Sequence, residues 1–143
     1  MNKTYIQKKS KKAQWYLIDA KNQTLGRICT KIATTIRGKN NYYYNPYLIN
    51  NEYIIVINAE HIQISGQKKY QKKYYRHSGR PGSLKKENFE QLKKRIPNRI
   101  IEKGVRGMLP KNRLGRILFN HLKVYSGKAH PHNAQNPTIL SLN

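Results

Sequence analysis

The sequence predicts an α/β domain in which helices are layered on a small, mostly parallel sheet. Three observations predict it. Tyr53 to Ala59, YIIVINA, is β-branched and almost continuously apolar, as a central strand covered on both faces requires. Leu25, Ile28, Ile32 and Ile36 recur with helical spacing and place one apolar face on the segment TLGRICTKIATTIRG. Strand-like and helix-like runs then alternate along the chain, the order of elements that builds layered α/β domains.

The elements follow in order. The first residues, with Lys8 to Lys12 at their centre, read as a basic arm that orders on contact, so the expected division is an arm at 1–13 and one domain at 14–143. Trp15 to Asp19, WYLID, is short and apolar enough for a buried strand. In the helix that follows, Thr24 is the expected N-cap and Gly38 the C-terminal stop. Cys29 and Ala33 flank the apolar face, and Cys29 reads as small core filler rather than a reactive thiol. Arg27 and Lys31 stand four apart on the opposite face, a like-charge pair that costs a few tenths of a kcal/mol in an isolated helix. A polyanion turns that cost into attraction.

Beyond Arg37 and Lys39, NNYYYNPY places three adjacent tyrosines before an Asn45-Pro46 turn signal. Side chains alternate in an extended segment, so Tyr42, Tyr43 and Tyr44 cannot all face a core. An exposed tyrosine among cations suits stacking on an unpaired base, and a packed loop cluster suits it as well. After the central strand, Ile62 and Ile64 alternate with polar residues until Ser65-Gly66 turns the chain. The next run, QKKYQKKYYRHSGRPG, interleaves Lys68, Lys69, Lys72, Lys73, Arg76 and Arg80 with Tyr70, Tyr74 and Tyr75. Cations at that density with aromatics between them are the strongest RNA-contact signal of the chain. Ser78 to Gly82 closes the run with a Gly and Pro loop suited to approaching phosphate.

The C-terminal half reads as mostly helical. Phe89, Leu92 and Ile96 share a face, Pro97 opens a further helix, and Ile101, Val105 and Met108 continue an apolar stripe that Leu109-Pro110 ends. A last helix, Arg113 to Leu122, turns Leu114, Ile117 or Leu118, and His121 or Leu122 inward, with Arg113, Arg116 and Lys123 facing away.

Composition narrows the function. Lys and Arg number 29 against 6 Asp and Glu, a formal charge of +23 that repels itself until a polyanion neutralises it. Nucleic acid is the expected partner. One cysteine excludes an internal disulfide and any multi-thiolate zinc site. No stretch approaches the roughly 20 apolar residues of a membrane span, and the N-terminus shows no apolar core of a secretory signal. Asp19, Glu52, Glu60, Glu87, Glu90 and Glu102 are the whole acidic inventory, and no two form a local acid–base pair. Glu87, Glu90 and Glu102 fall on predicted lysine-rich helices, where intrahelical ion pairing accounts for them. The expectation is therefore a protein without catalysis, metal, cofactor or small-molecule substrate. His130 and His132 flank Pro131 without a nearby cysteine or carboxylate, so contact with RNA or a bond within the loop fits them better than metal. His77 and His121 carry the same alternatives.

The stretch Val105 to Pro137, VRGMLPKNRLGRILFNHLKVYSGKAHPHNAQNP, closely resembles the signature of the thirteenth large-subunit ribosomal protein family in its bacterial and organellar form. The resemblance extends over nearly the whole chain. It runs through Trp15 to Ala20, Thr24-Leu25-Gly26-Arg27, Ile36-Arg37-Gly38-Lys39, Tyr53 to Ala59 and Tyr74 to Gly79. It continues in Gly107-Met108-Leu109-Pro110, Leu114-Gly115-Arg116, Lys123-Val124-Tyr125 and His130-Pro131-His132. The chain departs from the family with Ser65-Gly66 where many members have Thr-Gly, and with Gly82-Ser83 where they have paired glycines.

The resemblance implies a three-layer α/β/α fold with a four-stranded sheet, a basic N-terminal arm and a C-terminal extension. It also implies binding to large-subunit ribosomal RNA, contacts with neighbouring large-subunit proteins and early entry into assembly. The expected contacts are Arg27, Arg37, Lys39, Arg76, His77, Arg80, Lys111, Arg113, Arg116, Lys128, His130 and His132, together with Lys68, Lys69, Lys72 and Lys73 of the basic run. A free regulatory RNA-binding protein is the alternative of the same chemistry, and an enzyme acting on RNA or DNA is the alternative of another class. Heavy use of Lys, Asn, Ile and Tyr suits an A- and T-rich genome, and the short arm suits synthesis where the protein works. A ribosome of the plastid stroma fits both, and a bacterial cytoplasm is the alternative.

Overall fold

The apolar runs become a parallel sheet in the computed structural model, which describes residues 12–141. Strand β1 is Gln14–Asp19, helix α1 is Leu25–Ile36 and strand β2 is Glu52–Ile57. In β2 Ile54, Ile55 and Val56 are fully buried although their side chains alternate between faces, so both faces of this strand are covered. β1 is less buried than its composition suggests: only Ile18 is fully enclosed, while Trp15, Tyr16 and Leu17 are half-buried. α1 buries Leu25, Ile28, Ile32 and Ile36 together with Cys29, as its spacing requires. Enclosing each such aliphatic side chain stabilises the fold by about 1.5–3 kcal/mol. Thr24 takes the extended N-cap conformation but makes no side-chain cap bond, and Gly38 turns the chain at φ +69° against Asn50, where a Cβ has no room. Of the three tyrosines, Tyr42 is 99% exposed, and Tyr43 and Tyr44 are half-buried.

After a 3-10 turn at Ala59–His61, the basic run forms the one-turn helix α2 (Lys68–Gln71) and strand β3 (Lys73–Arg76). β3 pairs antiparallel with β4 (Lys85–Asn88), a hairpin that puts Glu87 on a strand where the sequence predicts a helix. Its strands read KYYR and KKEN, and with cations on both sides the period-2 signal has no apolar face to reveal it. Helix α3 (Phe89–Arg95) opens on a capping box between Asn88 and Gln91 and buries Phe89 and Leu92. Ile96 ends that helix half-buried, and Pro97 precedes α4 (Asn98–Met108). α4 buries Ile100, Ile101 and Val105 but leaves Met108 47% exposed, so the apolar stripe stops one turn early.

The last helix is shorter than expected. α5 spans Arg113–Phe119, and Leu122 starts strand β5 (Leu122–Val124) because the backbone of Ile54 reaches across to the His121 carbonyl at 3.0 Å. Within α5 the inward residue is Leu118, 1% exposed, and Ile117 faces solvent. A 3-10 turn at Asn133–Gln135 leads to strand β6 (Thr138–Ile139).

The four-stranded sheet has the order β5-β2-β1-β6, every pair parallel. The steps β1 to β2 and β2 to β5 run the same way across it, so right-handed crossovers set their helices on one face. Ile18, Ile54, Val56 and Leu122 point to that face and share a core with α1, α3, α4 and α5. The step from β5 to β6 runs back and carries the C-terminal segment over the other face, where His132 stacks on Trp15 at 5.3 Å. The expected arm lies outside the described residues except for Lys12 and Ala13, both exposed. Among the described residues no helix is long and apolar enough to cross a membrane.

Candidate nucleic-acid interface

The hairpin is a polar device anchored on one side. Register places Tyr74 opposite Glu87 and Arg76 opposite Lys85, so these four share one face. There the Arg95 guanidinium donates to both Glu87 carboxylate oxygens at 2.8 Å, tying β4 to α3. Glu87 is thus a strand residue bonded to a different element, not a partner within a helix. The Tyr74 ring lies 5.2 Å from the Lys103 ammonium and 5.7 Å from that of Lys72. Burial, assisted by Cys29, pushes the Tyr74 phenol up to about 12, so it stays neutral at physiological pH. The opposite face of the hairpin carries Lys73, Tyr75 and Lys86, with Tyr75 56% exposed.

Facing this hairpin is the turn between α4 and α5. Asn112 caps α5 by accepting from the Gly115 amide at 2.8 Å. Gly115 is buried against the turn, and a Cβ there would fall on the Pro110 carbonyl. The spacing of Pro110 and Gly115 is thus a packing requirement, because only a residue without a side chain lets α5 start so close to the end of α4. Lys111, Arg113 and Arg116 are left exposed.

Between hairpin and turn lies a cleft of about 870 Å³. Lys73, Lys103, Arg106, Lys111 and Arg116 supply its cations, Tyr74, Tyr75, Leu109, Pro110 and Phe119 supply rings and apolar surface, and no carboxylate lines it. Cations from separate elements focus a positive potential there that no acid cancels. The cleft joins the basic run to the Gly-Met-Leu-Pro signature. Two of its cations, Lys103 and Arg106, were missed in the sequence, although with Arg99 they recur at helical spacing on α4. A smaller cleft of about 260 Å³ lies on the anchored side, where Arg76, Lys85, Arg95, Arg99 and Lys103 surround Glu87.

The other expected contacts are distributed. Arg27 is exposed on α1, and Lys31 beside it is half-buried. Arg37 is half-buried with its guanidinium 5.7 Å from the Tyr44 ring, and Lys39 beyond it is exposed. Lys68, Lys69 and Lys72 are exposed on and beside α2. His77 and Arg80 are exposed in the hairpin turn, where the His77 Nδ1 accepts from the Gly79 amide at 2.9 Å. Ser83 takes part in that turn as well, donating to the Arg80 carbonyl at 2.6 Å and accepting from Ser78 at 2.8 Å. The serine that departs from paired glycines therefore stitches the loop.

Lys128 is exposed, whereas the histidines nearby are engaged locally. The Tyr125 hydroxyl lies 2.8 Å from the His132 Nε2, and the His132 amide donates to the His130 Nδ1 at 3.3 Å. Burial first, then the charges of Lys123 and His130, hold the His132 pKa below its ordinary value. His132 also ends a ring column that the sequence did not announce, from His121 to Tyr53 at 4.3 Å, to Trp15 at 4.5 Å and on to His132. Among the described residues no three His, Cys, Asp or Glu side chains stand together as a metal site.

A parallel α/β domain with a cleft of about 870 Å³ that is lined by cations and free of carboxylates is a basic domain suited to a polyanion. Residues 13–131 match the family model described as Ribosomal protein L13, and the chain belongs to that family. It is similar to the Large ribosomal subunit protein uL13c of Pyropia yezoensis, 60% identical over 137 residues that cover 96% of either chain. It is also similar to the Large ribosomal subunit protein uL13 of Synechococcus sp. (strain CC9902), 56% identical over 91% of this chain and 87% of that one. With the uL13 of Prochlorococcus marinus (strain NATL1A) the identity is 54% over all of this chain and 96% of that one.

Proposed function

We propose that this protein is a structural constituent of the large ribosomal subunit that binds large-subunit ribosomal RNA and adjoining ribosomal proteins, and that it enters the particle early in assembly. Family membership over residues 13–131 carries the reading. The chemistry is electrostatic and geometric, with no turnover. Lys and Arg release condensed counterions from phosphates, and the packed core fixes the spacing at which they do so. Residues 14–143 act as one RNA-binding domain and 1–13 as a basic arm.

The cleft cations form the principal contact surface, and Arg27, Arg37, Lys39, Lys68, Lys69, Lys72, Arg76, His77, Arg80, Arg113, Lys128 and His130 extend it. The Tyr125 bond leaves His132 a supporting part through the loop. The plastid stroma is the proposed compartment. The uL13c relatives of Pyropia yezoensis and Porphyra purpurea, together with cyanobacterial relatives, support it, and the bacterial cytoplasm is the alternative.

Gradient fractionation of the source cell with mass-spectrometric detection tests the reading. The chain is expected with the large subunit after a moderate salt wash, and recovery in the small subunit or the soluble fraction overturns it. Binding to large-subunit RNA should also be steeply salt-dependent. With about 6–10 phosphates engaged, affinity falls roughly 10³- to 10⁵-fold between 50 and 200 mM salt.

A further inference from the structure

We propose that the cleft between the β3–β4 hairpin and the α4–α5 turn takes an unpaired segment of RNA, one base lying against Tyr75 and the adjoining phosphates on Arg106, Lys111 and Arg116. The proposal deepens, and rests on, the ribosomal reading above. Shape is the first reason. A duplex offers phosphates on a convex surface and is recognised across its shallow minor groove, which a flat basic face serves well. This surface is instead a cleft of about 870 Å³, within the range of about 300–1,000 Å³ typical of pockets that enclose a small molecule.

Lining is the second reason. Leu109, Pro110 and Phe119 give the cleft apolar surface that phosphates do not use and a base does. Cations stand around that surface, with the Arg106 guanidinium held 6.0 Å from the Phe119 ring. Strand alternation supplies the third reason. Tyr74 is committed to the anchored face of β3, which sends Tyr75 to the outer face between Lys73 and Lys86. A ring left 56% exposed, with Lys73 and Lys86 on the same face of the hairpin, is a stacking platform on a basic surface. The Glu87–Arg95 pair ties the hairpin to α3, and the register puts Glu87 on the face away from Tyr75.

The test compares the full chain on two RNA hairpins of equal length, one fully paired and one with a short bulge containing a fluorescent adenine analogue. The bulged hairpin should bind more tightly by between about 5- and 150-fold, the range of base–aromatic stacking, and the analogue should be quenched on binding. Tyr75→Ala should remove both the preference and the quench, and Tyr75→Phe should keep them, with circular dichroism verifying that both variants fold. Equal affinity for the two hairpins, or a preference that survives Tyr75→Ala, overturns the cleft assignment. If that equal binding is steeply salt-dependent, the ribosomal reading stands without it. Failure to bind either RNA, together with absence from the large subunit, overturns both.

Discussion

Replacing Leu118 and Arg116 separately should split stability from binding, since the short helix α5 presents one to the core and the other to solvent. Leu118 is 1% exposed, and Leu118→Ala removes three buried carbons. At about 0.8 kcal/mol per methylene the transfer loss is about 2.4 kcal/mol. The cavity that α4 and the sheet cannot fill raises the total to about 3–5 kcal/mol. A domain has only about 5–15 kcal/mol of stability, so at about 2–4 °C per kcal/mol the melt should fall by roughly 6–20 °C. Arg116→Ala removes an exposed cation and should leave stability within about 0.5 kcal/mol. Its RNA affinity should drop, and the slope of log affinity against log salt should shrink by about one unit. Thermal melts and filter binding to a large-subunit RNA fragment at two salt concentrations measure both quantities. Ile117→Ala, one position away and 46% exposed, is the control for generic damage to the helix. If Arg116→Ala unfolds the domain while binding per folded molecule is unchanged, Arg116 is a structural residue and the interface lies elsewhere.

Three further outcomes follow from other sites. Gly115→Ala puts a methyl group on the Pro110 carbonyl and should destabilise the fold by about 1–3 kcal/mol while weakening RNA binding through a displaced α5; an unchanged melt and affinity would mean the turn has slack. Burial raises the Cys29 thiol to about 11, against the partial opposition of Lys72, so at pH 8 a disulfide reagent should label it no faster than the fold opens. Rapid labelling of native protein contradicts that burial. Burial also raises Glu52 above its usual 4.5, only partly offset by the 2.6 Å bond from Asn41. The folded state then holds this proton to higher pH than the unfolded one, so stability is lost as pH rises from 4.5 through the folded value. Glu52→Gln retains an oxygen for Asn41 and should flatten that part of the pH–stability curve, and an unaltered curve contradicts the assignment.

β2 and α1 were legible because β2 is an unbroken apolar run and the apolar residues of α1 recur with helical spacing. Ile54 to Ile57 and the Leu25-to-Ile36 face required no partner information. The β3–β4 hairpin was not legible, since its order comes from Tyr74 on Lys103 and Glu87 on Arg95, contacts between elements that no local pattern encodes. α5 ends before its spacing predicts for a similar reason. Leu122 continues the helical spacing, and only pairing with β2 turns it into a strand. At the interface, the basic run and the Gly-Met-Leu-Pro turn were each recognisable, but that they line one cleft is tertiary information. Lys103 and Arg106 carry no signal of their own, because on a basic helix their spacing resembles an ordinary solvated face. For His132 the sequence leaves contact with RNA and a bond within the loop both open, and its ring column depends on the C-terminal segment crossing the sheet over Trp15.

The return of the chain to β1 also sets an order of events during synthesis. Thr138 hydrogen-bonds the Trp15 carbonyl across 123 residues of sequence, whereas β1, α1 and β2 are consecutive in the chain. At translation rates of about 5–20 residues per second, β1 waits roughly 6–25 s for its second neighbour. Throughout that interval the nascent sheet has an open strand edge, the kind of surface through which unfinished chains stick to one another. The positive charge that later meets RNA is present from the first lysines onward, and its repulsion keeps unfinished copies apart until the last strand closes the edge.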